Sequence, residues 1–264
     1  RDLLSLTEKE MQKVRGARIG LVFQEPASAL NPVLTIGYQV GDKVLYAPDF
    51  GVPQRRRRAF FFANRLGLPV EFPSPTHCAP AASPQLFALE ATYVTVRAAI
   101  GDLPSLAHGE GQSPVDYDQP PQSAYQELMR ARSAQLYDHV ARKLMETQYR
   151  RLASIQAGQG ARDLPDELKP KSHYSGAYGR LEWDALAPTI TRWVFHPGSG
   201  RFGHPTDVRV ITIREAARLQ SFSDDFVFSG TYIQKSHQVG NAVPPLIMQA
   251  FGKAAKKLLR EAGE

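Results

Sequence analysis

The chain has 264 residues, 42% of them hydrophobic and 22% charged, which is enough apolar material for a packed core and excludes wholesale disorder. Its 32 Lys and Arg against 26 Asp and Glu give a net charge of +6 at pH 7, a balance suited to a polyanionic partner. No apolar run reaches bilayer length and no secretory leader opens the chain, so a cytoplasmic protein without a membrane partner is expected, and the single cysteine, Cys78, excludes an internal disulfide.

In chain order, Thr7-Glu8-Lys9-Glu10 reads as a capping box before a short helix, and 19–23 as a strand ended by Gln24-Glu25-Pro26. A second strand at 43–46 precedes Gly51-Val52-Pro53-Gln54 and the run Arg55-Arg56-Arg57-Arg58, which leads into the apolar strand 59–63. Residues 64–122 are rich in Pro, Ser, Gly and Ala and read as loop, with a short helix near 94–100. From Ser123 to about Ile155, Tyr125, Leu128, Met129, Leu136, Val140, Leu144 and Leu152 have helical spacing. Residues 156–210 return to loops and short strands. Thr212 and Glu215 form a capping box for a helix through about Gln220. The last helix starts at Pro244-Pro245, with Leu246, Ile247, Phe251 and Leu258 on one face and Lys253, Lys256, Lys257 and Arg260 on the other.

A run of arginines, fixed in charge and forked in geometry, suits phosphates or a base edge, although alone it reads equally as a solvated charge run. The segment from Gly37-Tyr38 through Gln54, Arg56 and Arg58, with Arg55 and Arg57 at the variable positions, resembles the Gln-x-Arg-x-Arg motif of cytosine-5 DNA methyltransferases. Phe72-Pro73 to His77, Ala187-Pro188-Thr189-Ile190-Thr191, Thr212 to Phe222, and Gln238 to Pro245 resemble further segments of that family in order and spacing. The resemblance implies an α/β fold: an incomplete doubly wound, Rossmann-like sheet with a smaller, loop-rich target-recognition domain. It implies DNA as partner, a flipped cytosine and S-adenosylmethionine as cofactor. Arg58 would then donate to the cytosine oxygen, while Arg56 braces the pocket or a neighbouring carboxylate. Asn241 and Ala242 would hold the cofactor, with Asn241 reading equally as a turn residue. Arg214 and Arg218 are expected to form structural ion pairs. Arg180, Thr189, Thr191, Arg192, Ser199 and Arg201 are the expected DNA contacts.

Carbon-5 methylation needs a thiolate on carbon-6, which the family supplies from a Pro-Cys dipeptide, together with a Gly-rich cofactor turn. Neither occurs here, and Cys78 follows His77 rather than a proline. The seven histidines lack metal-ligand spacing, so no metal site is expected. Residues 14–37 resemble the glutamine-loop region of an oligopeptide or dipeptide ABC transporter ATP-binding subunit, without a phosphate-cradling G-x-x-x-x-G-K-[ST] loop. The expected organisation is a 1–36 fragment of that type, the C-terminal part of a catalytic domain at 37–105, a recognition region at 106–210 and closing motifs at 211–264. The opening Arg agrees with an incomplete chain. On this view the chain is inactive alone or works with a polypeptide carrying the missing half; a non-catalytic DNA-binding module is the alternative, and an ABC ATPase remnant the third reading. The apolar face of the last helix is expected to lack a partner, with order best at 42–63 and 176–259 and poorest at 1–36 and 104–122.

Overall fold

The computed structural model describes residues 40–63, 69–79, 91–171 and 176–261. The helix near residue 7, the strand at 19–23 and the transporter-like segment lie outside them. The chain divides into two compact units, Arg1–Lys43 with Phe60–Glu71, and Val44–Ala59 with Phe72–Glu264. The second holds every side chain discussed below.

Both strands flanking the arginine run form as expected. β1 (Val40–Tyr46) and β2 (Arg57–Ala63) make one two-stranded sheet. Between them Ala47–Phe50 closes a 3-10 turn, and Gly51 carries the left-handed φ of 76° that the reversal requires. The second sheet is a short parallel pair, β3 (His77–Cys78) and β4 (Ala91–Thr92), with His77 opposite Ala91. Among the described residues the expected doubly wound sheet is represented by these two small sheets, and the architecture is mixed α/β.

α1 (Val96–Ile100) falls where the sequence places it, its N-terminus capped by Thr95. The long helix expected over 123–155 does not form. It is replaced by α2 (Ala124–Arg130) and α3 (Glu146–Ala153). Asp138 sits at φ 63°, which ends helical geometry, and the apolar residues between the two helices pair sideways instead. Leu136 exchanges backbone hydrogen bonds with Val115 at 2.8 and 2.9 Å, and Val140 bridges Gly111. Residues 104–122, expected among the least ordered, are therefore laced to 136–140; Leu106 N also donates to Asp207 at 3.1 Å.

α4 (Ile213–Leu219) begins with the expected capping box. It is followed by α5 (Tyr232–Asn241) and α6 (Pro245–Glu261). α1, α2 and α4 share the main core with Ile100, Tyr125, Met129, Ala216 and Leu219. A second cluster, including Leu144, Leu152, Ile155 and Val210, lies under the loops of 156–210. The face of α6 is not left open as the sequence suggests. Ile247 and Leu258 are buried and Phe251 is half-buried, its ring meeting Phe72 edge-on at 6.0 Å, while the Ala47–Phe50 turn packs against the same helix. The chain's own proline-rich exit segment supplies cover that the apolar pattern could not reveal.

Candidate functional site

The Gln-x-Arg-x-Arg segment runs beside residues 187–190 rather than out into solvent. Arg55 N donates to Ala187 O at 2.8 Å and Ala187 N to Pro53 O at 3.1 Å, a short parallel bridge. Thr189 Oγ1 adds a 2.6 Å bond to Arg55 O. This alternation turns Gln54 and Arg56 inward and leaves Arg55 and Arg57 exposed.

Gln54 is fully buried and saturated. Its amide nitrogen donates to Leu219 O at 2.9 Å and to the Gln220 side-chain oxygen, and its own oxygen accepts from Ile190 N at 2.9 Å. Arg56 is buried, and its partners are backbone carbonyls rather than the neighbouring carboxylate that the resemblance offered as one alternative. Nη1 donates to Ile190 O at 2.9 Å, and Nη2 to Gly240 O at 3.3 Å and Ala242 O at 3.2 Å. Burial, with the like charge of Arg58, lowers Arg56 to about 10, so it remains cationic at neutral pH. Arg58 is half-buried and forms no hydrogen bond or ion pair among the described residues.

Gln220 completes the junction by donating to Val239 O at 3.1 Å and Ala242 O at 2.7 Å. A Cβ on Gly240 would lie 2.1 Å from Arg192 N, so only glycine lets α5 approach the 191–192 backbone this closely. Four sequence segments far apart in the chain thus meet around Arg56.

α4 is buried on every side, and its charges are all paired. Arg218 grips both oxygens of Asp224 at 3.0 and 2.6 Å and also reaches Asp102. Arg209 holds Glu215 at 2.8 Å through both oxygens. Burial alone would raise the Glu215 carboxyl, but the Arg209 charge and hydrogen bonds outweigh it and hold it below the usual carboxylate range. Arg214 donates to Tyr137 O, Ser223 O and Phe226 O at 2.7 to 3.1 Å, with Asp224 at 3.7 Å. Arg214 and Arg218 therefore are the structural ion pairs expected. Sequence reasoning gave Arg209, Asp102, Asp224 and Gln220 no role; the signal available was a helix too apolar to leave its charges in water.

Of the six expected DNA contacts, Arg192 alone is exposed. Arg180 is buried: its guanidinium is spent on the carbonyls of His204, Leu152, Ile155 and Asp207 at 2.9 to 3.4 Å, which ties residues 152–155 to 204–207 and corrects the expectation of a DNA contact. Thr189, Thr191, Ser199 and Arg201 are partly buried; Ser199 Oγ bonds to His196 O at 2.6 Å and Arg201 to Gly158 O. At the cofactor-implied positions, Asn241 is exposed at the end of α5, while Ala242 O is already held by Arg56 and Gln220. Cys78 is 8% exposed within β3. Among the described residues no group of three or more His, Cys, Asp or Glu could hold a metal ion, and no helix is long and apolar enough to cross a membrane.

Comparison with known proteins identifies the family. The family model for C-5 cytosine-specific DNA methylases matches residues 21–257. That match begins inside the transporter-like segment, so it does not mark a boundary near residue 37. DNA (cytosine-5)-methyltransferase 1A of Oryza sativa subsp. japonica is 34% identical over 272 residues, covering 87% of this chain and 18% of the relative. Type II methylase M.HgiDII of Herpetosiphon aurantiacus is 33% identical over 272 residues, covering 98% and 65%. Type II methyltransferase M.AgeI of Thalassovita gelatinovora is 30% identical, covering 84% and 66%. A solved E. coli prophage protein, assigned as a DNA modification methyltransferase, shares the fold with a TM-score of 0.61 at 23% identity, over 84% of this chain and 61% of that one. The chain thus spans under two thirds to a fifth or less of the length of the first of these relatives, yet by the extent of the family match it belongs to the C-5 cytosine-specific DNA methylases.

Proposed function

We propose that this chain is the target-recognition and closing part of a DNA (cytosine-5)-methyltransferase that modifies double-stranded DNA with S-adenosylmethionine as methyl donor. The observation that carries this reading is the junction around Arg56, which binds the recognition segment at Ile190 to the end of α5 at Gly240 and Ala242, with Arg58 beside it unpaired among the described residues. A guanidinium held in a strand beside that junction suits the carbonyl oxygen of an extruded cytosine. Arg192 is the surface cation positioned for phosphate or base contact, and Thr189, Thr191, Ser199 and Arg201 shape the loop that carries it.

S-adenosylmethionine supplies the methyl group when bound. The residues present fit it in part: the exposed Asn241 amide is free to hydrogen-bond a ligand, whereas Ala242 offers only its side-chain surface because its carbonyl is committed. The sequence contains no Pro-Cys dipeptide, and buried Cys78 is no substitute. The nucleophile therefore comes from a further polypeptide segment, and residues 1–264 alone bind DNA without methylating it.

Duplex binding as a function of salt tests the reading. Arg58→Ala and Arg192→Ala should each weaken affinity, and loss of a phosphate contact lowers the salt slope by about 1. Absent or salt-independent binding contradicts it.

A further inference from the structure

Trp193 lies in the recognition segment three residues past Ile190, whose carbonyl Arg56 holds. It is 46% exposed, an unusual state for the largest apolar side chain. Its backbone is pinned on both sides. Trp193 N donates to Thr191 Oγ1 at 3.3 Å, and Trp193 O accepts from His196 N at 2.9 Å and from Ser199 Oγ. The preceding carbonyl, Arg192 O, accepts from Ser236 Oγ at 2.8 Å, and the following side chain, Val194, is buried. A floppy surface tryptophan would need none of these ties.

The ring is also framed. Phe195 and His237 stand 5.8 Å from it at tilted and edge-on angles, and the Arg192 guanidinium lies 5.3 Å over its face. Arg142 likewise sits 5.0 Å from the Phe195 ring and donates to Phe195 O. Phe195 itself is buried, so Trp193 is the ring this cluster offers to solvent; an exposed aromatic beside an arginine is a surface on which a base stacks while the cation meets phosphate. His237 Nε2, in that edge-on neighbour, is buried without a hydrogen-bond partner among the described residues.

We propose that Trp193 is a stacking platform for a base of the bound duplex that loses its partner when the target cytosine leaves the helix. This rests on the reading that the chain binds DNA, and goes beyond it by naming the side chain that receives the unpaired base. The backbone under the ring is already tied down and Arg192 already lies against it, so little ordering is needed when the base arrives.

The test uses the full chain with two probes: a duplex in which one cytosine is replaced by an abasic site, leaving its guanine unpaired, and the intact parent duplex. The expected result is tighter binding to the abasic duplex, with tryptophan fluorescence quenched in the wild type and unchanged in Trp193→Phe, where only Trp183 remains. Trp193→Ala should lose about fivefold to a hundredfold in affinity for the abasic duplex, whereas Trp193→Phe keeps most of it. Circular dichroism confirms that each variant is folded. Binding of both duplexes without quenching, and with Trp193→Ala equal to wild type, overturns the assignment while leaving DNA binding intact. Failure of the wild type to bind either duplex overturns DNA binding itself, and the platform with it.

Discussion

Replacing Arg218 by Met should destabilise the fold severely although no bound substrate is involved. Arg218, Asp102 and Asp224 have side chains with no solvent exposure. Methionine fills much of the arginine volume and removes only the charge and its donors. Asp224 would retain Tyr117 Oη at 2.7 Å, and Asp102 would retain Arg130 at 2.9 Å, but the paired cation between them would be gone. Breaking a buried pair in this way costs about 3–5 kcal/mol, because a carboxylate is left in a low-dielectric site. At roughly 2–4 °C per kcal/mol for a domain of this size, Tm should fall by about 6–20 °C. Thermal unfolding followed by circular dichroism at pH 7 reads the change. Arg97→Ala is the matched control: Arg97 grips Asp184 at 2.8 and 2.9 Å with the same fork, but both side chains are exposed, and Tm should scarcely move. Adding Asp224→Asn to Arg218→Met should recover part of the loss. Equal Tm shifts for the buried and exposed arginines would refute the reasoning, which assigns the large cost to burial of the paired charges.

Two further outcomes follow from the same geometry. Gly240→Ala places a Cβ 2.1 Å from Arg192 N and 2.2 Å from Thr191 C, backbone atoms that cannot swing aside; stability should fall by about 1–3 kcal/mol or more in urea titrations, and duplex binding should weaken with it. Wild-type urea and DNA-binding curves would contradict that contact. His204 is pushed down to about 4 by burial, with Arg209 and Arg180 adding to the effect and Glu215 and Asp207 opposing it. Its folded value lies below the unfolded one, so its contribution is complete above about pH 6.5 and is lost as pH falls toward 4. The shift is worth about 3 kcal/mol. Glu215, also lowered, extends the loss below its unfolded value of 4.5. Urea midpoints should therefore decline from pH 6.5 to 4 in the wild type and stay flatter over that window in His204→Asn, which keeps an acceptor for Thr206 N and Asp207 N. Parallel pH profiles would exclude His204 as the cause.

Local chemistry was legible in the sequence where neighbours in the chain decide the outcome. Thr212 and Glu215 announce their capping box because both partners lie within one helical turn. The arginine run announces its strand, and alternation then decides that Arg56 faces inward and Arg57 outward. Arg180 was misread because a surface loop and a buried brace have the same local composition; its burial depends on carbonyls at 152, 155, 204 and 207 converging on one fork. The helix expected across 123–155 failed for a similar reason, since Leu136 and Val140 satisfy helical spacing but find their partners at 115 and 111. The family resemblance located the segments that meet at Arg56, and the structure supplied what the resemblance lacked, namely which atoms join them.

The decisive measurement is transfer of a labelled methyl group from S-adenosylmethionine to unmethylated duplex DNA by the purified chain, alone and with a supplied polypeptide carrying a Pro-Cys loop and Gly-rich turn. DNA binding without label from the chain alone, and incorporation once that polypeptide is added, is the predicted result. Incorporation by the chain alone that disappears in Cys78→Ser would contradict the account.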